Sequence, residues 1–124
     1  MTEEEVIKQM REHIEGLFPK ICYNCKRQFA TLREYLMTTE PAGSAVPYDA
    51  VLGDWLPKSP IGTVAYANCR CGSTLSLSSK GMPLTQLWPL LNWARTETKR
   101  RGLTPPELLN YLREEIRKQV LSDP

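Results

Sequence analysis

Two short stretches, ICYNCK at residues 21–26 and NCRCG at residues 68–72, decide how this chain folds. They contain all four cysteines, as one C-x-x-C pair and one C-x-C pair, with 43 residues between the pairs. Paired cysteines at such spacings are typical of metal ligands or of redox thiols. We therefore predict one metal site that joins two parts of the chain through four ligands, Cys22, Cys25, Cys69 and Cys71.

The overall composition is that of an ordinary globular domain. The chain has 124 residues, of which 41% are hydrophobic and 24% are charged, close to the average for soluble proteins. No apolar run approaches the ~18 residues of a membrane span. The acidic start, MTEEE, is not followed by the apolar segment of a signal peptide. We expect a cytoplasmic protein with no membrane association, in a compartment where thiols stay reduced.

Helix-capping patterns mark most of the predicted helices. A threonine followed three residues later by glutamate starts three of them, at 3–17, 31–38 and 105–121. A fourth helix should begin near Thr85, because Pro89 is tolerated only close to a helix start. It should end at KRRG, residues 99–102, where cations and a glycine suit a helix C-terminus.

The middle of the chain predicts a hairpin and a loop. Residues 61–67 and 73–78 have the pattern of paired strands, which places the second cysteine pair at a hairpin tip. Residues 39–60 are dense in proline and glycine, so we predict an irregular loop that packs against the body.

These elements predict an α+β fold in one domain, 1–124. Its parts are an N-terminal helix (1–20), a four-cysteine core with the long loop (21–80) and a C-terminal helix pair (81–124).

The four cysteines favour zinc. A Zn²⁺ ion with four thiolates has no open position for water, so such a site is structural rather than catalytic. Iron is the alternative, because four thiolates do not by themselves choose the metal. Thiol redox chemistry is a further alternative, although the helix after the first pair starts only at Thr31, away from the cysteines.

The two cysteine motifs resemble the paired knuckles of zinc-ribbon and treble-clef zinc domains. The resemblance covers about ten residues and implies zinc and a knuckle geometry. The chain departs from the usual pattern in having C-x-C as its second pair, and Lys26 where a glycine often follows the first.

Charges near the cysteines have two interpretations. A four-thiolate zinc centre carries about two negative charges, which neighbouring cations could compensate. Alternatively, these cations belong to a solvated surface. The residues concerned are Lys20, Lys26, Arg27 and Arg70.

The burial of four other residues can be predicted from their positions in the helices and the loop. Trp88 falls on the apolar stripe of its helix and should be buried, whereas Trp93 lies off that stripe and should be exposed. Trp55 should pin the long loop. His13, the only histidine, should sit at the edge of the buried face of the first helix.

Basic residues are concentrated near the predicted turn between the two C-terminal helices. A two-helix unit with a basic turn is similar to helix-turn-helix DNA binders, which makes four residues candidates for nucleic-acid binding: Arg95, Lys99, Arg100 and Arg101. The formal net charge of +2 falls near zero once four thiolates and one Zn²⁺ are counted, which weakens this interpretation.

We therefore expect a non-enzymatic zinc-binding interaction or regulatory module with no catalytic residues. Its helices would bind a protein partner or a second copy of the chain. A DNA-binding protein is the alternative function, and a thiol-based redox sensor is the third.

Overall fold

Within the residues that the structure describes, the chain forms an α+β fold of four helices and two small antiparallel sheets. The structure, a computed structural model, describes residues 1–48 and 62–123. In chain order the elements are α1 (Glu3–Glu15), β1 (Lys20–Ile21), β2 (Gln28–Phe29), α2 (Leu32–Thr38), β3 (Glu40–Pro41), β4 (Val46–Tyr48), β5 (Gly62–Asn68), β6 (Thr74–Ser78), α3 (Leu84–Arg101) and α4 (Pro105–Ser122).

Helix α1 begins where the capping pattern predicts it. The hydroxyl of Thr2 accepts a hydrogen bond from the Glu5 N–H at 3.2 Å, and acidic side chains fill the first turn. The helix ends two residues earlier than predicted. After Gly16 the helix gives way to a 3₁₀-type turn, in which the Leu17 N–H donates to the Ile14 carbonyl three residues back, at 3.0 Å.

The predicted helix 31–38 is confirmed as α2, and a two-stranded hairpin precedes it. Strands β1 and β2 pair antiparallel, with Lys20 opposite Phe29. The Thr31 hydroxyl then caps α2 by accepting from the Glu34 N–H at 3.1 Å. The hairpin therefore places the first cysteine pair close to the capped N-terminus of α2.

Strand β5 is the centre of the main sheet. The predicted hairpin is confirmed, with β6 pairing along one edge of β5 from Val64↔Ser78 to Asn68↔Thr74. Strands β3 and β4 both pair with β5 as well, at 67–68 and 62–64. Because a strand has only two edges, β3 and β4 must share the edge opposite β6.

The prediction of an irregular loop over 39–60 was therefore wrong for its first part. Residues 40–48 extend the sheet, interrupted only around Gly43, whose φ is 71°. Proline is tolerated on edge strands, where one side of the backbone needs no partner. The rest of this predicted loop, with Trp55, lies outside the described residues.

The C-terminal helix pair is confirmed. Gly102 ends α3 in the left-handed conformation, and α4 starts with a complete capping box between Thr104 and Glu107. Helix α4 lies at the centre of the fold, because it packs against α1, α2 and α3. Its buried face consists of Leu108, Leu112, Ile116 and Val120.

The predictions for Trp88 and Trp93 were wrong. Trp88 is 45% exposed, whereas Trp93 is 9% exposed. The reason is the rotation of α3 against its neighbours, which buries Leu90 as well as Leu87 and so moves the centre of the buried face away from Trp88. The Arg101 guanidinium also covers the Trp93 ring, 5.7 Å from its centroid.

Candidate metal centre

The first cysteine pair sits in a tight turn between β1 and β2. The Cys22 N–H donates to the Arg27 carbonyl at 2.9 Å, and the Lys26 N–H donates to the Cys22 carbonyl at 2.8 Å. These bonds curl the C-x-x-C segment so that both thiols leave the same side. Lys26 adopts a left-handed conformation with φ of 65°, at the position where zinc knuckles often have glycine.

The second pair sits at the tip of the β5–β6 hairpin. The Cys69 N–H donates to the Ser73 carbonyl at 2.8 Å, and the Gly72 N–H donates to the Cys69 carbonyl at 2.9 Å. Gly72 has a φ of 93°, and a Cβ added there would meet nothing within 4 Å. Glycine is therefore required by backbone conformation rather than by space.

The fold brings all four predicted ligands together. Their sulfur atoms lie within 4.8 Å of one another, and the cysteines are free. The Sγ atoms of Cys22 and Cys71 are 3.7 Å apart, as are those of Cys25 and Cys69. Each of these short distances joins one pair to the other. Four cysteines in this arrangement could hold a metal ion between the hairpin of β1–β2 and the tip of β5–β6.

The site has an inner and an outer side. Cys22 and Cys69 are buried, whereas Cys25 and Cys71 are exposed. Tyr35 belongs to the inner side, where its ring meets that of Phe29 edge to face at 5.3 Å. Burial, followed by the negative charge of Cys69, raises the pKa of Tyr35 to about 12. The negative charge of a thiolate at this site would therefore lie at the edge of the hydrophobic core, close to Tyr35.

Hydrogen-bond donors surround the sulfur atoms. The Cys22 sulfur accepts from the backbone N–H groups of Cys25 and Asn24, and the Cys25 sulfur accepts from that of Arg27. The Asn24 side-chain amide donates to the Cys71 sulfur at 3.3 Å. Ser73 donates to the same sulfur through its backbone and hydroxyl groups. Donors aimed at sulfur stabilise the thiolate form that a metal requires.

These donors make the four thiols unequal. The Asn24 amide, followed by Ser73, lowers the pKa of Cys71 to about 5. The Arg27 N–H lowers the pKa of Cys25, but burial and the neighbouring thiols outweigh it and raise that pKa to about 11. Four thiolates this close repel one another, so they can all be charged only with a cation between them.

Sequence reasoning missed Asn24 and Ser73 as contributors to the site. It considered the nearby cations either as charge compensation or as a solvated surface. In residues 1–48 and 62–123 none of their side chains hydrogen-bonds a cysteine sulfur, which favours the solvated surface. Arg27 lies over the Phe29 ring, 5.3 Å from its centroid, and Lys26 and Arg70 are exposed. The signal available beforehand was the presence of small polar residues within the two cysteine turns.

The four candidate nucleic-acid residues do not behave as one group. Arg101 bonds to Glu3 and Glu97, each at 2.7 Å, and Arg100 bonds to Glu97 at 2.6 Å. Arg95 and Lys99 are exposed. Two of the four residues, Arg100 and Arg101, thus form ion pairs within α3, and Arg101 also pairs with α1. Nucleic-acid binding by these residues stays a prediction.

His13 is partly buried, at the edge of the α1 core face as predicted, with Nε2 3.2 Å from the Ser78 carbonyl oxygen.

None of the helices in the described parts of the chain combines the length and apolar character needed to cross a bilayer. Comparisons with protein-family models, with curated proteins and with solved structures find no match to this chain.

Proposed function

We propose that the four cysteines bind one Zn²⁺ ion and that this ion is a structural crosslink. The observation that carries the proposal is the pair of 3.7 Å distances between sulfurs of different cysteine pairs. Tetrahedral zinc with Zn–S bonds of about 2.3 Å separates its sulfur ligands by about 3.8 Å. The cysteines are therefore spaced for a single ion of this kind.

The spacing also favours one metal ion over an iron–sulfur cluster. All four sulfurs lie within 4.8 Å of one another, as expected when they share one ion. A sulfide-bridged cluster places several irons between its thiolates and holds them further apart. A single tetrahedral iron fits the same geometry, so iron remains the alternative metal. Zinc is the first choice because it carries no redox chemistry into a structural site.

The crosslink stabilises elements that are small by themselves. Strands β1 and β2 have two residues each, and a two-stranded hairpin of any length is marginally stable in water. The ion would tie this hairpin to the tip of β5–β6 and so to the main sheet. Because ligand binding of this kind supplies folding free energy, the metal replaces apolar core that a short hairpin lacks.

On this scaffold the protein acts as a non-enzymatic interaction or regulatory module in the cytoplasm. Its helices supply the surface for a protein partner or for a second copy of the chain. Leu84 and Trp88, four residues apart on α3, are 50% and 45% exposed within the described part of the chain. Large exposed apolar side chains next to each other are characteristic of contact surfaces.

The metal is tested by native mass spectrometry of the purified protein. We expect one zinc ion per chain, and a large fall in melting temperature when a strong chelator removes it. Adding zinc back, with magnesium as the control, should restore the melting temperature. A folded protein that contains little metal and is indifferent to chelation would contradict the proposal, whereas one iron per chain would change only the metal.

The contact surface is tested separately by light scattering over a range of protein concentrations. A second copy as the partner predicts a mass that rises from one chain to two, and Trp88→Ala should prevent the rise. Tyr23→Ala is the matched control, since Tyr23 is 84% exposed but lies in the cysteine turn. A monomer at all concentrations excludes self-association and leaves a different protein as the partner of this surface.

A further inference from the structure

A cavity of about 100 Å³ lies between the main sheet and helices α1, α2 and α4. Its floor is made by small side chains of β5. Thr63, Ala65 and Ala67 alternate along the strand and therefore face the same side. Alanine at two successive inward positions leaves space that a larger side chain would fill. An engineered apolar cavity of about 150 Å³ binds benzene. This cavity is smaller, but its partly exposed walls allow a single ring or a short chain to extend beyond it.

The walls of the cavity are apolar and incompletely covered. Met10, Ile14, Leu36 and Leu77 line it, and each packs against the core while remaining partly exposed. Transfer of such surface out of water is favourable, at roughly 25 cal/mol per Å². A bound apolar group would therefore complete the burial of these four side chains.

Two buried polar atoms belong to residues of the same cavity. In the described part of the chain, the Tyr35 hydroxyl and the Arg113 Nε are buried without a hydrogen-bond partner. Such atoms are uncommon, because leaving a buried donor unsatisfied is costly. The Arg113 Nη1 donates to the Gly43 carbonyl at 3.1 Å, which anchors the guanidinium beside the cavity. Both unsatisfied groups are donors at neutral pH, so a ligand should bring an acceptor.

The charges at the cavity favour an anion. Arg117 follows Arg113 by one turn of α4, and both side chains line the cavity. Glu114 also lines it, with a carboxylate oxygen 4.0 Å from the Arg113 Nε. Two guanidinium groups against one carboxylate leave a single positive charge. A guanidinium pairs a carboxylate through two parallel hydrogen bonds, which matches this arrangement.

We propose that this cavity is a binding site for a small monocarboxylate with an apolar body of about one ring or six carbons. The apolar body would lie over Ala65, and the carboxylate would meet Arg113 and Arg117. The inference concerns the helix–sheet interior and does not depend on which metal the cysteines bind.

The first test compares matched acids and alcohols on the full-length, metal-loaded protein by calorimetry. Benzoate and hexanoate are expected to bind with dissociation constants between about 10 µM and about 1 mM, a range reasonable for ligands of this size. Benzyl alcohol and hexanol should bind at least about tenfold more weakly, since they lack the charge. Failure of both acids to bind, or equal binding of acids and alcohols, would overturn the proposal.

The second test uses variants. Arg117→Gln should weaken benzoate binding about tenfold or more, whereas Arg95→Gln, an exposed arginine on α3, should leave it unchanged. Ala65→Leu should fill the cavity and abolish binding, with the exposed Ala30→Leu as its control. Unchanged binding to a folded Ala65→Leu protein would show that the ligand binds elsewhere. If Ala65→Leu does not fold, the arginine pair decides the question.

Discussion

The Sγ atoms of Cys22 and Cys71 lie 3.7 Å apart, although 49 positions separate the two residues in the chain. One is fully buried and the other is exposed. The contact joins the turn after β1 to the tip of the β5–β6 hairpin, and the matching contact of Cys25 with Cys69 does the same. The stability of the whole domain should therefore depend on these four atoms.

Serine variants of Cys22 and Cys71 separate metal binding from packing. If only packing matters, Cys22→Ser should be costly and the exposed Cys71→Ser nearly neutral. If both are metal ligands, each should lower the free energy of unfolding by at least about 3 kcal/mol, because the metal supplies folding energy. Chemical denaturation in zinc-containing buffer measures both. A stable Cys71→Ser protein would argue against the four-ligand site.

Removing the Asn24 side chain should weaken metal binding without removing a ligand. Its amide donates to the Cys71 sulfur, and loss of such supporting donors typically lowers metal affinity about 10- to 100-fold. Competition with a zinc indicator compares Asn24→Ala with Asn92→Ala, an exposed asparagine on α3. Equal affinities of the two variants would mean that the Asn24 bond contributes nothing.

Replacing Lys26 with glycine should stabilise the protein. The left-handed conformation costs a residue with a Cβ roughly 1–2 kcal/mol, and glycine avoids this. Glycine also makes the unfolded chain more flexible, so we expect a net gain of about 0.5–1 kcal/mol. Lys26→Ala is the control, because it removes the charge but keeps the Cβ. An Ala variant as stable as the Gly variant would refute the strain argument.

Glu97 should contribute stability that depends on pH. Hydrogen bonds from Arg100, and next from Arg101, lower its pKa below the ordinary value of 4.5. A carboxyl whose folded pKa is lowered stabilises the fold above its unfolded pKa, and this is lost as pH falls through the folded pKa. Glu97→Gln should therefore lower the melting temperature at pH 7, and the difference from wild type should shrink as the pH falls below the ordinary value of 4.5 and disappear once Glu97 is protonated in the folded protein.

The control for this pH experiment is Glu12→Gln, an exposed glutamate on α1. Its melting temperature should follow that of the wild type at every pH. A Glu97→Gln difference that persists unchanged at low pH would indicate a steric rather than an ionic contribution. Comparing variants in this way cancels any loss of bound metal at low pH, because that loss would affect all of them equally.

Features with local signals could be predicted well. The capping threonines Thr2, Thr31 and Thr104 each accept the predicted bond, because a cap depends on residues three positions apart. The hairpin around Cys69 and Cys71 depends likewise on alternation and a glycine turn. Cysteine spacing was enough to predict that these four side chains would meet at one site, before any contact between them was known.

Other features required the packed structure. Helical periodicity allowed more than one buried face for α3, and only its contacts with neighbouring helices exposed Trp88 and buried Trp93. The segment 40–48 resembled a loop by composition, but the open edge of β5 needed backbone partners.

The sequence by itself determined the helices, the hairpin and the set of candidate sulfur ligands, since these follow from residues close together or from a residue type with few other roles. Only the tertiary structure decided that Asn24 would donate to Cys71 and that Ala65 would leave a cavity beneath Arg113. Both depend on contacts between side chains from distant segments of the chain. The spacing of residues along the sequence does not show which distant side chains will meet.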